Sequence, residues 1–261
     1  MNCLNRSTFQ AAIIGLCLAA ASRADAQISG INSVFMNPRV FNDVPGATLT
    51  SFNLYPSLVL FGETGVSAPT GFANRDDWQF SSNGGTSAYQ FQNNDYFYAS
   101  MTLQLTGSPS SPRKEAGFMF NTANVGTLQF IVNTDGHEVV QFGGISFYSF
   151  SGNNIVNYNS GDTINLGLQY FQATDGNNAL QFFANGISSP IFEFSPGGGI
   201  GNGSTLGGYL QIQNSSSNPA NSGSAVFQNI HIGPAPEPTS LALLSLGMVT
   251  LGAVASRRRR G

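Results

Sequence analysis

From Phe97 to Leu105 apolar and polar residues alternate: Phe97, Ala99, Met101, Leu103 and Leu105 interleave with Tyr98, Ser100, Thr102 and Gln104. Successive side chains of a strand point to opposite faces, so this pattern predicts a half-buried strand with the polar set on its wetter side. Ile164, Leu166, Leu168 and Tyr170 repeat the period. Leu180, Phe182 and Ala184 do so again, after the tight-turn sequence Asp175-Gly176-Asn177-Asn178. Asp135-Gly136 predicts a hairpin joining Leu128–Val132 to Val139–Phe142, and Asn185-Gly186 begins another reversal. Turn signals recur about every ten residues between Ala88 and Ile232, and no stretch there has a helical period. The expectation is one all-β domain, an antiparallel β-sandwich, over residues 27–235. Within it, Gly197–Gly208 reads as the most flexible piece and Asn214–Gly223 as a polar loop.

The two ends carry different patterns. Arg6 precedes an apolar run from Phe9 to Ala21, and Ala24-Asp25-Ala26 has the small-x-small form of a signal-peptidase site. Residues 1–26 are therefore predicted to be a secretory signal, cut between Ala26 and Gln27. At the other end Pro236-Glu237-Pro238 precedes an uncharged run from Thr239 to Ser256, followed at once by Arg257, Arg258, Arg259 and Arg260. Such a run, as a helix, rises about 27 Å, enough for a bilayer core. The arginines would hold its end in the cytoplasm.

Residues 236–261 thus resemble the PEP-CTERM sorting signal, which has these three parts in this order. The resemblance implies recognition by an exosortase, a transpeptidase-like membrane enzyme that cuts at or near the motif. It also implies residence in the envelope, on the outer surface or in the extracellular matrix of a Gram-negative bacterium. Signal peptidase, exosortase and, before processing, the membrane are then the expected partners.

Charge separates the body from its ends. Charged residues make up only 9% of the chain, which has 31 Gly and 21 Phe. Between residues 27 and 235 eleven acidic side chains face four basic ones, Arg39, Arg75, Arg113 and Lys114. An acidic body excludes a nucleic-acid binder, and its aromatic content excludes a charge-driven disordered chain. Both cysteines, Cys3 and Cys17, fall in the signal. Stability must therefore come from packing, without disulfides.

The strand order resembles the concanavalin A-like lectin/glucanase sandwich, a jelly roll. The residues that carry this are Glu115-Ala116-Gly117-Phe118-Met119-Phe120, Thr127–Val132 with Asp135-Gly136-His137-Glu138, and Phe227-Gln228-Asn229-Ile230-His231-Ile232 as a strand closing the sheet. Retaining glucanases of that fold set Glu-x-Asp-x-(x)-Glu along one strand; the chain has no such triplet. Asp76 and Asp77 are adjacent and point to opposite faces, and Asp135 sits in a turn before Glu138. The only histidines are His137 and His231, with no Gly-x-Ser-x-Gly elbow, so no catalytic residue is assigned.

No cofactor is expected beyond a structural calcium ion, for which Asp43, Asp76, Asp77, Asp95, Asp135, Asp162 and Asp175 supply loop carboxylates without defining a ligand set. The candidate carbohydrate-binding aromatics are Trp78, Tyr96, Tyr98 and Tyr148, each with a polar handle. The expectation is a non-catalytic envelope or matrix protein associated with exopolysaccharide. Its alternatives are a glycoside hydrolase or lyase of the same fold, and a structural matrix protein that binds no sugar.

Overall fold

The computed structural model describes residue 28 and residues 30–67, 70–153, 155–215 and 221–235. The predicted signal, its cleavage site and the sorting tail lie outside these residues. Among the described residues no helix is long and apolar enough to cross a membrane.

The described chain is an antiparallel β-sandwich of two sheets. Its strands are β1 (Ser33–Phe41), β2 (Thr48–Leu54), β3 (Leu58–Thr64), β4 (Thr70–Ser81), β5 (Phe97–Ser108), β6 (Lys114–Thr122), β7 (Gly126–Asn133), β8 (Val139–Phe142), β9 (Tyr148–Ser149), β10 (Thr163–Gln172), β11 (Asn178–Ala184), β12 (Ile187–Ser188), β13 (Phe192–Glu193), β14 (Thr205–Ser215) and β15 (Ser222–Pro234). One sheet has seven strands in the order β1-β4-β14-β6-β7-β8-β9. The other has eight: β12-β11-β10-β5-β15-β3-β2 form its path and β13 pairs with β11.

The alternations read from the sequence are the inner faces of these strands. In β5, Phe97, Ala99, Met101, Leu103 and Leu105 are buried, while Tyr98, Ser100 and Thr102 are half-buried and Gln104 is exposed. β10 and β11 repeat this, and the Asp135-Gly136 turn joins β7 to β8 as predicted. Aromatic rings bridge the sheets: Trp78 of β4 meets Phe227 of β15 with centroids 5.7 Å apart, and Phe130 of β7 meets Phe182 of β11 at 5.3 Å, both edge-on. Edge contacts of this kind add to the area that the rings remove from water.

The Phe227–Ile232 segment belongs to β15, the last strand of the described chain, which lies inside the eight-stranded sheet, between β5 and β3. Strand parity is blind to which neighbour a strand takes. One expectation is corrected: Gly197–Gly208, read as the most flexible piece, is tied down by side chains of three other segments. Asn178 Nδ2 donates to Gly198 O at 2.7 Å, Asn124 Nδ2 donates to Gly199 O at 3.1 Å, and Gly201 N donates to Asn93 Oδ1 at 3.0 Å. The run then continues as β14, where Gly208 pairs with Trp78. A Cβ on Gly208 would come within 2.7 Å of Trp78 Nε1, so this glycine makes room for the indole.

Candidate functional site

Residues of the seven-stranded sheet that point away from the core fall into rows set by strand register. One row runs Asn37, Asp77, Tyr209, Gly117, Ile131 and Val140 across β1, β4, β14, β6, β7 and β8. Beside it Gly207, Met119, Gln129 and Phe142 form a second row, and Gln211, Glu115 and Asn133 a third. Met119, Ile131, Val140 and Tyr209 are buried together, with Phe142 packed against them. They form an apolar floor on the side of the sheet away from the main core.

Over this floor lies a cleft of about 480 Å³, a size suited to a few sugar rings or a similar small ligand. Its polar lining is Arg113, Glu115, Gln129, Glu138 and Gln211, and its aromatic lining Phe72, Phe142 and Phe147. Phe147 is 65% exposed, the most of any large hydrophobic side chain among the described residues.

A single hydrogen-bonded chain runs along one wall. Arg75 Nε donates to Gln211 Oε1 at 2.8 Å, and Gln211 Nε2 donates to Glu115 Oε2 at 2.8 Å. The Arg113 guanidinium lies 3.5 Å from Glu115, 3.0 Å from Asp135 and 3.0 Å from Glu138. Asn133 Nδ2 donates to Glu138 Oε2, while Asn133 Oδ1 accepts from Gly136 N at 2.8 Å, so the hairpin turn itself is tied to the wall. Arg75 also lies over the rings of Phe41, at 5.0 Å, and Tyr209, at 5.9 Å.

Burial sets the protonation behaviour of this wall. Loss of solvent raises the Glu115 carboxyl, opposed by Gln211 and Arg113. Burial pushes Asp77 up to about 6 against the hydrogen bond from Gln79, the Arg75 charge and Asn37. The fully buried Tyr209 hydroxyl is held far above its ordinary value, so it stays protonated. Tyr209 Oη and Gln129 Nε2 adjoin each other, and neither completes a hydrogen bond of normal geometry.

The four aromatic residues singled out from the sequence do not meet at one place. Trp78 is fully buried between the sheets and offers no ring face to a sugar, so that assignment is corrected. Tyr96 Oη donates to Asn178 Oδ1 at 2.9 Å beside Tyr170, Tyr98 packs edge-on against Phe183 on the eight-stranded sheet, and Tyr148 packs against Phe150 and Phe192. Of the polar cleft residues the sequence brought forward only Glu138 as a candidate for chemistry, beside Asp135, although one signal marked the others. In a body with four basic residues, two stand together in Arg113-Lys114-Glu115.

The loop carboxylates serve turns and ion pairs. Asp95 accepts from Gln92 N, Asp162 from Asn159 N, Asp175 from Asn177 N, and Asp43 lies 3.4 Å from Arg39. Among the described residues no three His, Cys, Asp or Glu side chains are grouped so as to hold a metal ion. Neither histidine lines the cleft.

No protein-family model matches the chain, and no curated protein matches it. Among solved structures it is similar to the alginate lyase AlgAT5 of polysaccharide lyase family 7, at 11% identity and a TM-score of 0.47, over 67% of this chain and 77% of that one. It is also similar to an alginate lyase from Corynebacterium sp., at 10% identity and a TM-score of 0.46, over 69% and 82%. The carbohydrate-binding module CBM66 from Bacillus subtilis has 10% identity and a TM-score of 0.40, over 74% and 99%.

Proposed function

We propose that this chain is an exported, non-catalytic β-sandwich that binds polysaccharide of the cell envelope or matrix in the cleft of its seven-stranded sheet. The observation that carries this reading is the make-up of that cleft: the open ring of Phe147 and the Glu138 carboxylate, 39% exposed, beside an apolar floor. Sugars are bound through apolar ring faces and hydroxyl hydrogen bonds, and this lining supplies partners for both. The sorting-signal resemblance of residues 236–261 supports delivery to the outside, with exosortase as processing partner and the membrane as transient anchor.

A non-catalytic role is favoured because Arg113 contacts all three carboxylates near the cleft, so none stands free to act on a bond. A carbohydrate-active enzyme is the second reading, favoured by one fact: Glu115 and Glu138 both line the cleft, and burial raises the first. Affinity electrophoresis of the full-length protein in mild detergent through gels containing polysaccharides tests binding. Retardation that Phe147→Ala reduces at least fivefold is the expected result; an unretarded protein removes the reading. Release of reducing or unsaturated ends from the same polymers, abolished in Glu115→Gln, would establish the enzyme instead.

A further inference from the structure

We infer that the cleft takes an uncharged polysaccharide and rejects polyuronates and other acidic glycans, an inference that rests on the glycan-binding function proposed above. The reason is a charge count made on the site itself. Two guanidiniums, those of Arg75 and Arg113, serve the cleft wall, and three carboxyls, Glu115, Asp135 and Glu138, lie along it. With all three ionised the wall is negative. With Glu115, the most buried of them, protonated, it is neutral. In neither state is there a surplus cation to meet a uronate.

Geometry makes the same point. Arg113 already presents its guanidinium to Asp135 and Glu138 at 3.0 Å each and to Glu115 at 3.5 Å. Arg75 gives its Nε to Gln211 and spreads its plane over Phe41 and Tyr209. A uronate could take Arg113 only by displacing a carboxylate of the protein, and Glu115, nearly all of it out of water, would be left without its cation. Breaking a buried ion pair in this way is strongly unfavourable. The acidic body as a whole adds long-range repulsion toward a polyanion. What remains open to a sugar is chemistry for hydroxyl groups: the Glu138 carboxylate, 39% exposed, as an acceptor, and the exposed ring of Phe147 for stacking.

The test runs the full-length protein in mild detergent through gels containing either neutral polymers (hydroxyethyl cellulose, soluble β-1,3-glucan, galactomannan) or acidic ones (alginate, polygalacturonate), at low and high sodium chloride. The expected result is retardation by at least one neutral polymer, at least tenfold stronger than by either acidic one. It should change less than twofold between 0.05 and 0.5 M salt in order-of-magnitude terms, and fall at least fivefold in Phe147→Ala. Stronger retention by alginate or polygalacturonate, lost at high salt and weakened by Phe147→Ala, would overturn the inference while leaving glycan binding in the cleft intact. No retention by any polymer, or retention that Phe147→Ala leaves unchanged, would overturn the cleft reading and the inference with it. Because Phe147 is exposed, the variant should unfold at the parent's temperature, and thermal scans separate loss of binding from loss of fold.

Discussion

Asp76 Oδ1 accepts a hydrogen bond from Arg39 N at 2.9 Å, while its Oδ2 is buried without a partner. Around it Arg39 donates from Nε and Nη2 to Glu63, at 2.8 and 3.0 Å, and Asn74 Nδ2 donates to the same carboxylate at 3.0 Å. Burial, with the nearby Glu63 and Asp77 charges, pushes Asp76 up to about 7 against the Arg39 bond and charge. The folded state therefore binds more protons than the unfolded one between about pH 4 and pH 7, and this carboxyl makes stability fall as pH rises through that window. Asp77, pushed up to about 6, adds to the slope. Asp76→Asn keeps the acceptor for Arg39 N and removes the titration. Its melting temperature should decline distinctly less from pH 4.5 to pH 7.5 than the parent's; an equally steep decline would refute this account. Strand parity alone showed that Asp76 and Asp77 face opposite ways. That Arg39 and Glu63, from two other strands, enclose Asp76 was invisible, because those contacts join residues 37 and 13 positions away.

Gly117 and Gly207 show how a strand is constrained by its neighbour's backbone. A Cβ on Gly207 would lie 1.7 Å from Trp78 O, and one on Gly117 would lie 2.0 Å from Phe130 O. Both distances are far inside contact, so β14 and β6 can approach β4 and β7 only with glycine at these points. Gly207→Ala should destabilise the fold by about 3 kcal/mol or more, since overpacking against backbone has no side chain to yield; urea unfolding measures it, and a loss below about 1 kcal/mol would show that the strands can part cheaply. A second element-level tie is Tyr158, whose fully buried hydroxyl accepts from Leu105 N at 2.6 Å and reaches Asp162 O at 2.7 Å, fastening the loop before β10 to β5. Tyr158→Phe leaves buried backbone groups unpaired and should lower stability by about 1–3 kcal/mol in the same measurement. The alternations of β5, β10 and β11 were readable because one side of each strand must meet the core. The Gly197–Gly208 run misled because glycine serves both mobility and close approach, and only the partner strand tells which.

Across the whole molecule, an acidic and cysteine-free body lies between a signal-like segment and a tail whose four arginines mask that acidity in the overall charge. If the tail is a sorting signal, mass spectrometry of the exported protein should find a new C-terminus near Pro236–Thr239; a chain still ending at Gly261 in the outer fraction would refute processing. The sequence by itself determined an antiparallel all-β sandwich, the hairpin at Asp135-Gly136 and the inward set of each long strand. It could do so because period and turn chemistry are local, written within a few residues of one another. Only the tertiary structure decided that β15 lies inside its sheet, that Trp78 belongs to the core, and that Arg75, Arg113, Glu115, Gln129 and Gln211 share one wall. Those facts depend on which strands become neighbours and in what register, and residues as far apart as Arg75 and Gln211 meet only after the sheet has formed.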